Sequence, residues 1–146
     1  MLISSCLYSR REKLVRKALG LMTQRRWNAA LGVLQTVLRR SAGDTESELY
    51  FRVNLAIGKC HLFAGRRGDR GDGHYEHALH FLGIASGSAG EVRGEALAFA
   101  ARCYREMESP VLAARKTEEA RAAVAALRQE DPFNDTADEI EHLLEA

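Results

Sequence analysis

Apolar residues recur three and four positions apart along nearly the whole chain, with polar residues between them, which is the period of a helix buried on one face. Leu14, Ala18, Leu21 and Met22 make a first stripe that ends near residues 24–26. Trp27, Ala30, Leu31, Leu34, Val37 and Leu38 make a second, which stops around 41–43. Thr45 and Glu48 have the spacing of a capping box, and the stripe behind them runs through Leu49, Val53, Ala56, Ile57, Cys60 and Ala64 to Gly65. A fourth helix is expected over 74–84 and a fifth over 91–107, the latter opened by a second capping box of Ser88 and Glu91. Ser109-Pro110 reads as an N-cap followed by proline at the first helical position, and a long sixth helix follows over 110–129. Asp131-Pro132 breaks it, and Asn134 or Asp135 caps a last helix through Ile140, Leu143 and Leu144.

The expectation is an all-α single domain over residues 1–146. It consists of three antiparallel helical hairpins, at about 7–41, 45–85 and 91–129, and a C-terminal capping helix at about 135–146. Residues 66–73 are glycine-punctuated and almost wholly polar, so they have no apolar surface with which to fold and read as an insertion loop.

Composition narrows the class. At 46% hydrophobic and 28% charged, 146 residues suffice for one real core and are not a disordered tail. No apolar run reaches the roughly 18 residues of a membrane span. Residues 1–8 are apolar but their positive charges follow them, the wrong order for a secretory signal. Cys6, Cys60 and Cys103 are odd in number, with no CxxC pair, which argues against a disulfide framework or zinc module and for a reducing, intracellular compartment. The cytoplasm is the expected location. Organellar import is the alternative, because residues 1–43 hold nine Lys/Arg and only one acid, Glu12, as a presequence does.

The net charge of +1 hides a split, +8 over residues 1–73 and −7 over 74–146. Such asymmetry gives a dipolar surface that can steer an acidic partner or favour head-to-tail stacking, or it simply marks two differently charged solvated faces.

Overlaying the three hairpins gives consistent columns. Ala18, Gly58 and Ala101 align, as do Gly20, Cys60 and Cys103 two residues later; both columns are small, as a close helix crossing requires. Trp27, Tyr75 and Pro110 align at the turn, Ala30, Ala78 and Ala113 three residues on, and Val37, Ala85 and Ala120 seven beyond those. Over about residues 11–128 this spacing resembles the tetratricopeptide repeat, a helix–turn–helix that stacks into a right-handed superhelix. The best matches are Ile57-Gly58 with Gly65, Tyr75 and Ala78, and Leu97, Ala101, Tyr104 and Ala113. Lys17 and Asn54 stand at usually apolar positions and Thr117 at an aromatic one. The closing proline is absent from the first and third repeats, and about six extra residues separate repeats one and two.

The resemblance implies a non-catalytic protein-interaction scaffold or adaptor with no cofactor, in which the first helix of each hairpin lines a concave groove for a partner peptide. Transferring the register puts Glu12, Val15, Leu19 and Met22 there from the first repeat, and Arg52, Leu55, Lys59, Leu62 and Phe63 from the second. The third contributes Glu95, Ala98, Arg102, Arg105 and Glu106. Arg52, Leu55, Lys59, Leu62, Phe63, Arg102 and Arg105 are the candidate partner-binding residues, and the cations Lys59, Arg102 and Arg105 point to an acidic peptide. Some of the apolar residues alternatively pack on the seventh helix or on a neighbouring subunit. The clamp with which one subfamily grips chaperone carboxylates falls on Val15, Leu19, Ala56, Glu95 and Phe99, none a suitable donor. The other readings are a structural subunit stacked end to end in a larger complex and an RNA-binding solenoid using the paired arginines at 10–11, 25–26, 39–40 and 66–67.

Other motifs carry less. His74, His77 and His80 stand at i, i+3 and i+6, but steps of three drift around a helix, so at most two converge, and an exposed polar face is the expectation. The tripeptides Arg67-Gly68-Asp69 and Arg70-Gly71-Asp72 are cheap matches in a Gly/Arg/Asp-rich loop. His61 follows Cys60 directly, and neighbours on a helix point about 100° apart, so the two are not a dyad. Cys60 and Cys103 are expected in the core.

Overall fold

A computed structural model describes residues 2–41, 43–67 and 73–145, and the side chains of 10–41, 43–65 and 74–145. Among the described residues there are seven helices and no strand: α1 (Leu2–Thr23), α2 (Trp27–Arg40), α3 (Glu48–Arg67), α4 (Gly73–Ala85), α5 (Gly90–Glu106), α6 (Pro110–Glu130) and α7 (Asp135–Glu145). Of the expected loop at 66–73, residues 66 and 67 belong to α3 and Gly73 opens α4, while 68–72 lie outside the described residues. Both Arg-Gly-Asp tripeptides run into residues 68–72, outside the described residues.

Consecutive helices pack on one another, and the core passes along the chain in three joined cells. The first joins α1, α2 and α3 around Val15, Ala18, Ala30, Leu34, Val53 and Ile57. The second joins α3, α4 and α5 around Leu55, Leu62, Ala78, Leu82 and Phe99. The third joins α5, α6 and α7 around Leu97, Ala101, Ala120, Val124 and Ile140. Among the described residues α1 packs only on α2 and α3, and α7 only on α5 and α6, so these helices lie at opposite ends of the packing order.

The aligned columns occupy this core. Ala30, Ala78 and Ala113 are buried, as are Val37, Ala85 and Ala120. Ala18 and Ala101 are fully buried, and a Cβ added to Gly58 would meet Leu82 Cγ at 2.7 Å, so α3 and α4 approach too closely there for any side chain. The second small column is corrected in its first member. Cys60 and Cys103 are buried, but Gly20 is exposed with nothing within 4 Å of an added Cβ, because no preceding hairpin covers that side of α1 among the described residues.

Two hairpins close with the same turn. Arg25 and Glu108 both take positive φ, 60° and 59°. The following amide in each case donates five residues back, Arg26 to the Leu21 carbonyl at 2.9 Å and Ser109 to Tyr104 at 2.8 Å. This six-to-one bond ends a helix with its last carbonyls satisfied, and the left-handed residue is usually glycine.

Capping differs from expectation in two places. The α3 cap is Ser47, not Thr45: its hydroxyl accepts from the Tyr50 amide at 3.2 Å, being the hydroxyl nearest the stripe that begins at Leu49. At α5 the N-cap is Ala89 and makes no side-chain bond, since the helix starts one residue later than a Ser88 box requires. Ser109 and Pro110 take their expected places at the start of α6, although the serine hydroxyl makes no capping bond. Asn134, not Asp135, caps α7 by accepting from the Ala137 amide at 2.8 Å.

Candidate functional site: a groove across three helices

Residues of α1, α3 and α5, some of them shared with the first and second core cells, meet along one open groove. Val15, Leu19 and Met22 on α1, Arg52, Leu55, Ala56 and Lys59 on α3, and Glu91, Val92 and Glu95 on α5 follow helical spacing and line one open groove with Glu48. It encloses about 250 Å3. Its floor is apolar: Val15, Leu55 and Ala56 are largely buried, while Leu19 stands 42% exposed at the edge.

Charges frame that floor. Arg52 pairs with Glu12 at 3.5 Å and ties α3 to α1. Lys59 Nζ sits 5.1 Å from the centre of the Phe99 ring, on the α5 side. Burial raises the Glu95 carboxyl above the ordinary carboxylate range, with Lys59 opposing the shift and Glu139 and Glu91 adding to it.

Of the candidate residues, Arg52, Leu55 and Lys59 are brought together in this groove. Leu62 is not part of it. It lies two turns beyond Leu55 on the same stripe, where α4 and α5 cover it completely. Phe63 is half-buried in an aromatic cluster, stacked on Trp27 at 5.0 Å and edge-on to Phe99 at 6.0 Å. Arg102 spans the Phe63 ring at 5.8 Å and pairs with Glu106 at 3.6 Å. Arg105 points at the C-terminal end of α7, with its guanidinium 3.4 Å from the carbonyls of Leu143 and Leu144. Ala98 is buried against α7. Lys59, Arg102 and Arg105 therefore do not form one free cationic surface, because each is engaged with a ring, a carboxylate or a helix terminus.

Glu48, Ala56, Glu91 and Val92 also line the groove and were not expected there from the sequence, although each stands three or four residues from an expected groove residue, Arg52 or Glu95.

The histidines are arranged differently from their sequence spacing. His61, on α3, stacks on His77 at 5.3 Å and Phe81 at 5.7 Å and lies 6.3 Å from His74, while His80 packs on the edge of Phe81. Burial, reinforced by His77 and His74, lowers the His61 pKa to about 4. Among the described residues no three metal-ligating side chains converge. Burial pushes the Cys60 and Cys103 thiols up to about 12, opposite to the shift that activates a nucleophilic cysteine. Among the described residues no helix is long and apolar enough to cross a membrane.

No family model, no curated protein and no solved structure matches the chain.

Proposed function

We propose that the chain is a tetratricopeptide-like helical scaffold that holds a segment of a partner protein in the groove formed by α1, α3 and α5. The proposed register draws support from the buried alanine and small-residue columns and from the matching turns at Arg25 and Glu108. The observation that carries the function is the groove itself: three helices present apolar side chains on one open channel, with charges at its margin.

Its size favours a peptide over a small molecule. About 250 Å3 falls below the roughly 300–1000 Å3 typical of a ligand site. It suits one or two inserted side chains at a time, and each apolar anchor contributes about 1.5–3 kcal/mol on full burial. Arg52 is already paired and Lys59 rests on Phe99, so affinity comes chiefly from apolar contact. Rigid helices lower the ordering cost on the protein's side. A cytoplasmic adaptor is the setting proposed.

The test is selection of peptides from a displayed library on the intact chain, followed by affinity measurement on Leu19→Asp and Val92→Asp. Leu19 is exposed at the groove edge and Val92 is partly buried against the second cell, so far-UV circular dichroism first checks that each variant folds. Loss of about tenfold or more in affinity supports the reading, the size expected when a charge replaces an apolar contact. Selected peptides that bind both variants as tightly as the parent overturn it.

A further inference from the structure

The two ends of the packing order carry opposite charge, with an exposed aromatic at one and a depression at the other. Between residues 10 and 41, which supply α1 and α2, nine Lys/Arg face one acid, Glu12. Between 128 and 145 seven acids accompany one arginine, Arg128, whose guanidinium is taken up by Asp138 at 2.6 Å and Glu141 at 2.5 Å. Fields of this kind, of opposite sign at two ends of one molecule, draw copies into head-to-tail encounter.

The acidic end also presents a knob. Phe133 is 87% exposed, the most exposed large hydrophobic among the described residues. It is held on a fixed turn: its amide donates to Asp131 Oδ1 at 3.0 Å, and Asn134 beside it caps α7. Glu130, Asp131 and Asp135 flank it, all exposed.

The basic end presents a socket. Arg25, Arg26, Trp27, Asn28, Ala29 and Ala64 line a depression of about 360 Å3 at the α1–α2 turn. Trp27 is stacked on Phe63 at 5.0 Å and the Arg26 amide is bonded to Leu21 at 2.9 Å, which positions these two lining residues. An aromatic ring flanked by carboxylates suits a pocket that holds one indole and the exposed Arg26 guanidinium, through ring stacking, cation–π contact and ion pairing.

We infer that the protein binds further copies of itself head to tail, the Phe133 turn of one copy seating in the Trp27 socket of the next. The two surfaces are different, so each contact leaves one knob and one socket open, and assembly passes beyond the dimer into a chain or a ring. This interaction does not use the α1–α3–α5 groove and stands apart from the peptide-binding reading.

The experiment is sedimentation velocity of the intact chain over a concentration series at low and high salt. The expected result is a mass that rises with concentration past that of a dimer, with association weakened about tenfold or more at high salt, where charges are screened within a few Å. Phe133→Ser should weaken it about tenfold at either salt, without changing thermal unfolding, since the ring is exposed. The double variants Arg25→Glu with Arg26→Glu, and Glu130→Lys with Asp135→Lys, should each abolish self-association, and mixing the two should restore it. Should either pair of reversals unfold the chain, Phe133→Ser and the salt series decide alone. A monomer at every concentration overturns the inference, as do association indifferent to Phe133→Ser and folded charge variants that fail to restore it on mixing. RNA binding that is lost with the Arg25/Arg26 reversal, in a chain that stays monomeric, also overturns it and assigns the basic end to nucleic acid.

Discussion

Adding one methyl group at Gly58 tests the helix register more sharply than any large substitution. A Cβ there would lie 2.7 Å from Leu82 Cγ, 2.8 Å from Leu82 Cδ2 and 3.3 Å from the Ala78 carbonyl. Leu82 and Ala78 are fully buried, and Cγ is too near the backbone to swing aside as a side-chain tip would. Alanine in a helix interior gains about 0.5–1 kcal/mol over glycine. Overpacking a close crossing costs about 1–3 kcal/mol. The net expectation for Gly58→Ala is a loss of about 1 kcal/mol. Gly20→Ala is the control, since nothing lies within 4 Å of its added Cβ and only the propensity gain remains. The two substitutions should differ in sign and be separated by about 2 kcal/mol, read from urea unfolding followed by far-UV circular dichroism, with the m-value unchanged. Gly58→Ala as stabilising as Gly20→Ala would refute the close α3–α4 crossing and the column that aligns Gly58 with Ala18 and Ala101.

Three further outcomes follow from individual sites. Glu108→Gly should stabilise by about 0.5–1 kcal/mol, because residue 108 holds φ at 59°, and thermal unfolding checks it. His61 has an ordinary pKa of 6.5 and a folded value of about 4, so the unfolded chain binds more protons between these values. Stability should therefore fall as pH drops from about 6.5 to about 4, and His61→Phe should remove that component of the slope in denaturation series at several pH values. In a Cys6→Ser chain, Cys60 and Cys103 should react with a thiol reagent only on opening, since both are buried with thiols near pKa 12; labelling that stays fast when unfolding is suppressed would contradict this.

Helix positions were legible because the apolar period is helical and the breaks are chemically marked, as at Ser109-Pro110 and Asp131-Pro132. The alanine columns were legible for a related reason: a small residue at a repeated offset needs a close neighbour to account for it. The errors share a physical cause, which is that helical spacing gives a residue's face but not what covers that face. Leu62 and Leu55 share a stripe, yet only the level of Leu62 is fully roofed by α4 and α5. Gly20 shares a column with Cys60 and Cys103 but sits on the end helix α1, where among the described residues nothing lies within 4 Å of an added Cβ. The engagement of Arg105 with the end of α7, and of His61 with His74 and His77, joins residues from different helices, which periodicity within one helix does not register. The caps at Ser47 and Ala89 depend on which residue first leaves helical geometry, a choice between neighbours that the sequence leaves nearly balanced.

The most direct test of the interaction role is site-specific photocrosslinking from within the molecule. A photoreactive side chain at Val92, on the groove, and one at Val111, 71% exposed on α6 and away from it, would be irradiated in the presence of a peptide selected on the intact chain. The account predicts a peptide adduct at 92, its loss on adding Leu19→Asp, and none at 111. Adducts at 111 alone, or equal at both positions and indifferent to Leu19→Asp, would contradict a partner seated across α1, α3 and α5.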